Sequence, residues 1–404
     1  MRTKALPFLI FCLSIIQCIS HAAGSNGASE QPETVRFETA GELRHSFPKG
    51  FVFGTATSAY QVEGMADKDG RGPSIWDEFV KIPGIVANNA TGEVAVDQYH
   101  RYKVDGTGKV NWNGVAYYNR LINYMIEKGI TPYANLYHYD LPLALEKKYK
   151  GLLSYQEKQK GRIGILLDFV YYEPLTRSKA DNLAAQRARD FHIGWFIHPI
   201  VYGEYPKTMQ NIVGNRLPKF TKEEVKMVKG SMDFVGINQY TTFYMYDPHQ
   251  PKPKYLGYQQ DWNVGFAYKK NGVPIGPRAN SNWLYNVPWG MYKAVMYIKE
   301  RYGNPTIILS ENGMDDPGNF TRSKALHDTT RIGYFKAYLT QLKKAADEGA
   351  NLVGYFAWSL LDNFEWRSGY TSRFGIVYVD YTNLRRYPKI SAYWFKKLLE
   401  RNRD

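Results

Sequence analysis

Cysteine is nearly absent from this sequence. Only Cys12 and Cys18 occur among the 404 residues, and both lie in an apolar stretch at the N terminus. If that stretch is removed, the remaining chain can form neither a disulfide nor a thiolate metal site. The sequence also lacks a G-x-G-x-x-G motif and a Walker loop, which disfavours a nucleotide-binding protein.

The N terminus has the features of a secretory signal peptide. Arg2 and Lys4 precede an apolar run at residues 5–19, and Ser20-His21-Ala22 has the small-x-small spacing of a signal-peptidase site. The run is too short to span a membrane. We therefore expect a signal peptide at residues 1–22, a polar leader at 23–46, and a secreted or extracellular protein, with the vacuole as a second destination and no membrane attachment after cleavage.

Two sequons fit that route. Asn89-Ala90-Thr91 and Asn319-Phe320-Thr321 match the acceptor pattern for N-glycosylation, although such tripeptides also arise by chance. Glycosylation is predicted at Asn89 and Asn319.

The chain is basic, but its charge does not indicate nucleic-acid binding. Its 52 Lys and Arg against 38 Asp and Glu give a net charge of +14, which falls to +12 without Arg2 and Lys4. The basic residues are dispersed, and no nucleic-acid motif accompanies them. A solvated basic surface is the simpler explanation, and attraction to acidic extracellular polymers is the alternative.

Short apolar runs alternate with longer helical segments after the leader. Strands are predicted at residues 51–55, 131–137, 162–170, 233–240, 306–309 and 352–358. Helices are predicted at residues 117–128, 183–196 and 330–348. This alternation predicts a parallel sheet covered on both faces, either doubly wound or closed into a barrel.

Polar and aromatic side chains stand at the carboxyl ends of several predicted strands. They are His138, Asn238, Tyr240, Glu311 and Trp358. In a (β/α)8 barrel the active site is built at the carboxyl ends of different strands, and such barrels often exceed 250 residues as one domain. The pattern favours a barrel, with residues 47–404 as a single domain.

Two segments carry the chemistry. Residues 308–313, I-L-S-E-N-G, form a buried strand ending in Glu311, which alone could be a glycosidase nucleophile, a metal ligand or a loop-capping acid. Residues 356–366 place a second carboxylate, Glu365, beside two indoles, Trp358 and Trp366. Flat aromatic faces beside a carboxylate are suited to a sugar, whereas core packing explains a single Trp better than this pattern.

The chain resembles the family-1 glycoside hydrolases, specifically the plant secreted β-glucosidases. The resemblance covers roughly residues 47–399. It rests on FVFGTATSAYQVEG at 51–64, YHYDLP at 137–142, GINQY at 236–240, SENG at 310–313 and the block at 358–366. The resemblance implies a (β/α)8 TIM barrel.

The resemblance also implies roles for individual residues. Glu311 matches the nucleophile and Tyr240 its hydrogen-bonding neighbour, while Trp283 resembles the residue that stacks on the aglycone. The positions implied to bind the sugar itself are Gln61, His138, Asn238, Trp358, Glu365, Trp366 and Phe374. The implied reaction needs no cofactor and no metal, and its substrate is a small β-glucoside or oligosaccharide.

Two family segments are missing from the chain. A retaining glycosidase needs a second carboxyl group about 5 to 5.5 Å from the nucleophile. In this family it is a Glu near the end of the fourth strand, and the sequence near residue 154 passes from the third strand to the lead-in of the fifth without it. A second junction, near residue 105, skips the second strand. The expected fold is therefore a barrel lacking its second and fourth βα units, with the third strand brought beside the first and the fifth.

Glu173 repeats the Glu-Pro of the missing motif. It follows Tyr171-Tyr172, however, which matches the family's own fifth-strand loop, so it is a weak candidate for the acid/base.

Three functions remain open at this point. The first is hydrolysis of terminal β-D-glucosyl residues by retaining double displacement, impaired because the acid/base segment is absent. The second is a catalytically inactive sugar-binding relic or an unstable splice product. The third is an enzyme that uses Glu311 alone and needs a substrate with a good leaving group.

Overall fold

A computed structural model of the protein describes residues 37–64, 73–98, 112–135, 137–139, 162–250 and 257–400. The predicted signal peptide and the two predicted junctions, near residues 105 and 154, lie outside these residues.

The strands are short and are spread over the whole described chain. In chain order they are β1 (Val52–Ala56), β2 (Gly164–Asp168), β3 (Tyr171–Pro174), β4 (Phe234–Asn238), β5 (Thr242–Tyr246), β6 (Gly265–Ala267), β7 (Lys269–Lys270), β8 (Val273–Pro274), β9 (Ile307–Asn312), β10 (Asp316–Pro317), β11 (Leu352–Trp358), β12 (Ser372–Arg373), β13 (Val377–Val379) and β14 (Arg386–Pro388).

Helices connect most of these strands. The α-helices are α1 (Glu38–Ser46), α2 (Ala59–Val62), α3 (Ile75–Phe79), α4 (Trp112–Glu127), α5 (Lys179–Arg189), α6 (Trp195–Tyr202), α7 (Lys207–Val213), α8 (Lys222–Val228), α9 (Tyr258–Trp262), α10 (Pro288–Arg301), α11 (Arg322–Leu326), α12 (Thr329–Asp347) and α13 (Ile390–Leu399). A π-helical turn, Asp190–Gly194, joins α5 to α6.

A sheet of five parallel strands lies at the centre, in the order β1-β11-β9-β4-β2. Its strands are rich in Val, Ile and Leu because helices cover the outer face. Val235, Ile237 and Leu309, for example, are fully buried in the main core. The parallel βα alternation is that of a (β/α) barrel, and it confirms the predicted fold class.

The long helix α12 shows why the outer layer packs well. Its buried residues recur every three or four positions and face the core, as the helical period requires. They include Tyr334, Tyr338, Leu342 and Ala345. Helix α10 packs beside it and contributes Met291, Val295 and Ile298 to the same core.

The predicted third strand is the main error in the sequence-based fold. Residues 131–135 and 137, inside the predicted strand 131–137, form no strand ladder. Within the described chain, β1 pairs only with β11 and β2 pairs only with β4, so the expected pairing of the third strand with the first and fifth is wrong. A strand needs hydrogen-bonding neighbours, and the second and fourth units that would supply them are missing from this chain.

Smaller differences concern element ends. The strand predicted at 306–309 extends to Asn312, so Glu311 lies inside β9 rather than after it. The helix predicted at 183–196 begins earlier, at Lys179, because the Ser178 side chain caps it by accepting a hydrogen bond from the Asp181 backbone N–H. None of the helices in the described part is long and apolar enough to cross a membrane.

Candidate active site

The site is centred on Glu311, a carboxylate near the end of β9 that is only 6% exposed. Its Oε2 accepts a hydrogen bond of 2.6 Å from the hydroxyl of Tyr240, which lies two residues after β4. Its Oε1 lies 3.2 Å from Nε2 of His138. Three residues from distant parts of the sequence, each predicted as a site residue, therefore meet at one carboxylate.

The neighbours of Glu311 are fixed by a network that sequence reasoning missed. Asn312 donates to the Gln239 carbonyl at 2.6 Å and accepts from the Tyr355 hydroxyl at 2.8 Å. The hydroxyls of Tyr334 and Tyr338 both donate to the Tyr240 carbonyl at 2.9 Å. The position of Asn312 next to Glu311 was the only sequence signal for this network. A buried tyrosine is predicted as a core residue whether or not its hydroxyl forms a hydrogen bond.

The glycine after Asn312 is required by a close approach. A Cβ atom on Gly313 would lie 1.9 Å from the backbone carbonyl oxygen of Trp358. Only glycine lets the end of β9 pass so near to the end of β11, and the two strand ends thereby present Glu311 and Trp358 to the same space.

Glu365 forms a second buried polar group with Gln61. The Gln61 amide donates to Glu365 Oε2 at 3.3 Å and to the Phe364 carbonyl at 3.0 Å, and its oxygen accepts from the Ser58 hydroxyl at 2.7 Å. Burial raises the pKa of Glu365 to about 8, and the charges of Asp315 and Glu311 add to the shift. Gln61 and Glu365 are thus joined by a direct hydrogen bond, and the charge of Glu311 acts on Glu365.

Aromatic rings surround the imidazole of His138. Its ring centroid lies 5.8 Å from that of Trp358, which is 2% exposed, and 5.5 Å from that of Trp366. The ring of Trp366 in turn lies parallel to Tyr60, with centroids 6.3 Å apart. The two predicted indoles therefore form a wall beside the carboxylates.

The remaining predicted residues lie around Tyr240. The rings of Trp283 and Phe374 each meet the Tyr240 ring edge-on with centroids 6.0 Å apart, and Trp283 is 39% exposed. Asn238 is the β4 partner of Glu311 and accepts a hydrogen bond of 2.7 Å from the Ser310 hydroxyl. Trp358 and Trp366 thus contact His138, Trp283 and Phe374 contact Tyr240, and Asn238 pairs with Glu311.

Glu173 belongs to a different part of the fold. It lies in β3, which forms a side sheet with β5 and β6, and both of its carboxylate oxygens accept from Lys293 Nζ at 2.7 Å. Lys293 therefore neutralises the Glu173 carboxylate, which lies in a different sheet from Glu311.

The two predicted glycosylation sites are accessible. Asn89 lies at the end of a 3₁₀ turn, Ala87–Asn89, and Asn319 precedes the N-cap of α11; both side chains are exposed. Among the described residues, no group of three or more His, Cys, Asp or Glu side chains is placed to hold a metal ion.

Comparison with known proteins identifies the family. The sequence profile described as "Glycosyl hydrolase family 1" matches residues 43–107, 104–155 and 149–404. The chain belongs to glycosyl hydrolase family 1. The three matched stretches meet near residues 105 and 154, so the predicted loss of two internal segments is confirmed.

The relatives are plant β-glucosidases. Beta-glucosidase 44 of Arabidopsis thaliana is 61% identical, with 94% of this chain and 96% of the relative covered; the alignment runs over 489 positions although this chain has 404 residues. The crystal structure of the rice Os3BGlu6 β-glucosidase has a TM-score of 0.83 and 38% identity, and covers 89% of this chain and 99% of its own. A mutant of that rice enzyme, in a covalent complex with glucose, has a TM-score of 0.82, 38% identity and the same coverage.

Proposed function

We propose that this chain is a β-glucosidase-type hydrolase that removes terminal β-D-glucosyl residues through a covalent intermediate on Glu311, and that its acid/base chemistry is impaired. The observation that carries the proposal is the Glu311 carboxylate, buried and held between the Tyr240 hydroxyl and the His138 imidazole. The covalent glucose complex of the related rice enzyme supports the same kind of intermediate.

In the first step, a Glu311 oxygen attacks the anomeric carbon. A C–O bond to Glu311 forms, the glycosidic C–O bond breaks, and the leaving group departs with its electron pair. The Tyr240 hydroxyl holds one oxygen of Glu311 and so orients the other. Water then attacks the anomeric carbon and loses a proton to solvent, the C–O bond to Glu311 breaks with its electron pair returning to the carboxylate, and glucose is released with retained configuration.

The sugar ring is held by the polar groups and indoles around this carboxylate. Gln61, His138, Glu365 and Trp366 are the groups for the glucose hydroxyls, with Trp358 under the ring and Phe374 closing the pocket. Asn238 accepts a hydrogen bond from Ser310 and so supports the strand that carries Glu311. The exposed face of Trp283 is available to the aglycone. The substrate is a small β-glucoside or oligosaccharide.

The impairment follows from the missing fourth unit. General acid–base catalysis is worth roughly 10²- to 10⁴-fold, and both steps use it unless the leaving group is good. Substrates with poor leaving groups are therefore turned over slowly, while activated glucosides still react with Glu311.

The second candidate function is a sugar-binding relic or an unstable splice product. It is favoured by the sheet topology, because within the described chain β1 pairs only with β11 and β2 only with β4, and an outermost strand can associate with other strands. We further propose that the protein enters the secretory pathway through residues 1–22 and is glycosylated at Asn89 and Asn319.

Covalent labelling tests the proposal without needing the acid/base. A dinitrophenyl 2-deoxy-2-fluoro-β-glucoside has a good leaving group, and its glucosyl-enzyme hydrolyses slowly. Mass spectrometry should find one added sugar on the peptide that contains Glu311, and none in Glu311→Gln. A folded sample that takes up no label supports the relic instead.

A further inference from the structure

Asp168 stands in line with Glu311 across the central sheet. It is the last residue of β2, the outermost strand of the central sheet in the described part of the chain, and its side chain is 49% exposed. Asp168 pairs in register with Asn238 of β4, and Asn238 pairs with Glu311 of β9. The two carboxylate residues therefore sit at the same level, two strands apart.

The alternation of side chains sets the direction of Asp168. Leu167 is 7% exposed and packs into the core between the sheet and its helices. Since neighbours in a strand point to opposite faces, Asp168 points to the inner face of the sheet. The register shift between Ile237 and Asn238 brings Glu311, rather than Ser310, opposite Asn238.

The strand spacing allows the two carboxyl groups to approach each other. Neighbouring strands lie about 4.8 Å apart, so the Cα atoms of Asp168 and Glu311 are separated by about 10 Å. Both side chains extend into the same space from there. A retaining glycosidase holds its two carboxyl groups about 5 to 5.5 Å apart, and side chains that converge from Cα atoms at this spacing can reach that separation.

The charges of both carboxylates act on the same side chain, Tyr139. Burial, together with the negative charges of Asp168 and Glu311, raises the pKa of Tyr139 to about 12. Tyr139 directly follows His138, which contacts Glu311. The phenol of Tyr139 therefore lies in the field of both carboxylates, in the region where a substrate bound at Glu311 would extend.

His192 orients the Asp168 carboxylate. Its Nε2 lies 3.5 Å from Asp168 Oδ2, and its Nδ1 lies 2.8 Å from the Tyr172 hydroxyl. An ionised carboxylate can only accept, so a neutral His192 carries its proton on Nε2 and accepts from Tyr172 at Nδ1. Asp168 thus lies beside His192 while about half of its side chain is exposed to solvent, at 49%.

We propose that Asp168 serves as the acid/base for the turnover that this shortened chain retains. This inference rests on the proposed function of Glu311. In the first step, the Asp168 carboxyl gives the proton that it took up in the previous turnover to the glycosidic oxygen, as Glu311 attacks and the C–O bond breaks. In the second, the Asp168 carboxylate takes a proton from the water that attacks the anomeric carbon, and Glu311 leaves.

The test compares Asp168→Asn with the unchanged chain. With an alkyl β-glucoside, the steady-state rate should fall about 100-fold or more, within the range expected for loss of a general acid/base. With dinitrophenyl β-glucoside, the initial burst should be unchanged and the following slow phase should fall by a similar factor. Azide needs no general base, so it should accelerate Asp168→Asn by a larger factor than the unchanged chain and yield β-glucosyl azide.

Glu173→Gln is the matched control, because it removes a nearby carboxylate that Lys293 already holds. Its rates should equal those of the unchanged chain. Equal slow phases in Asp168→Asn and the unchanged chain would overturn the role of Asp168. Since labelling of Glu311 by the fluoroglucoside needs no acid/base, labelling that persists in Asp168→Asn shows a folded site and separates this failure from failure of the proposed function.

Discussion

The hydroxyl of Tyr240 lies 2.6 Å from Oε2 of Glu311 and donates a hydrogen bond to it from a position two residues after β4, the strand beside β9. Burial raises the pKa of Tyr240, and the negative charge of Glu311 raises it further, so the phenol remains a donor. The bond can therefore orient and stabilise the carboxylate throughout the reaction.

Tyr240→Phe should slow the reaction of Glu311 with dinitrophenyl β-glucoside. A hydrogen bond to a charged group contributes about 1.5–3 kcal/mol, so the burst rate should fall roughly 10- to 100-fold. The ring contacts with Trp283 and Phe374 are kept, and the fold should not change. Stopped-flow release of dinitrophenolate measures the rate.

A matched control lies on the surface. Tyr292 donates the same kind of bond, also 2.6 Å, to Glu348. Tyr292→Phe should leave the burst rate unaltered. If the two variants behave alike, the Tyr240 bond has no special role in the reaction.

Glu365 should make the stability of the protein depend on pH. Its pKa is raised from 4.5 to about 8, mainly by burial. Between these pH values the unfolded carboxyl is ionised while the folded one keeps its proton, so the free energy of unfolding decreases as pH rises. The limit is about 1.4 kcal/mol per pH unit. Denaturant unfolding between pH 5 and 8 should show this slope, and Glu365→Gln should reduce it; an equal slope in both proteins contradicts the assignment.

Asp362 should matter more to stability than its lysine partner. The fully buried Asp362 carboxylate binds Lys389 Nζ at 3.0 Å and Arg373 Nη1 at 2.7 Å. Asp362→Asn leaves the fully buried Lys389 without its counter-charge and should cost about 3–5 kcal/mol. Lys389→Met leaves Asp362 with Arg373 and should cost less. Urea unfolding measures both.

The exposed pair Lys397 and Glu400 provides the control for that comparison. Its side chains are about half exposed, at 46% and 50%. Lys397→Met should change the free energy of unfolding by at most about 1 kcal/mol. A loss as large as that of Asp362→Asn would show that burial is not the cause.

Much of the fold and of the candidate site was readable from the sequence because the relevant signals are local. The apolar run before Glu311 and the turn glycine after it predict a strand end, and Trp358 ends its strand as expected. The resemblance then supplied Gln61 and His138, which no spacing rule connects to Glu311.

The rest depended on partners that are distant in sequence. The third strand has the composition of a strand, but a strand also needs neighbours, and those were lost with the missing units. Lys293 lies 120 positions from Glu173, so the ion pair between them could not be predicted from the sequence. Asp168 was missed because its relation to Glu311 arises from register across three strands, which the sequence does not specify.

The time course of dinitrophenyl β-glucoside cleavage, with and without azide, tests most directly whether Glu311 forms a covalent intermediate whose hydrolysis is impaired. We expect a burst of phenolate, a slow second phase, acceleration of that phase by azide with formation of β-glucosyl azide, and loss of both burst and acceleration in Glu311→Gln. No burst from a folded sample, or brisk cellobiose hydrolysis that azide leaves unchanged, would contradict it.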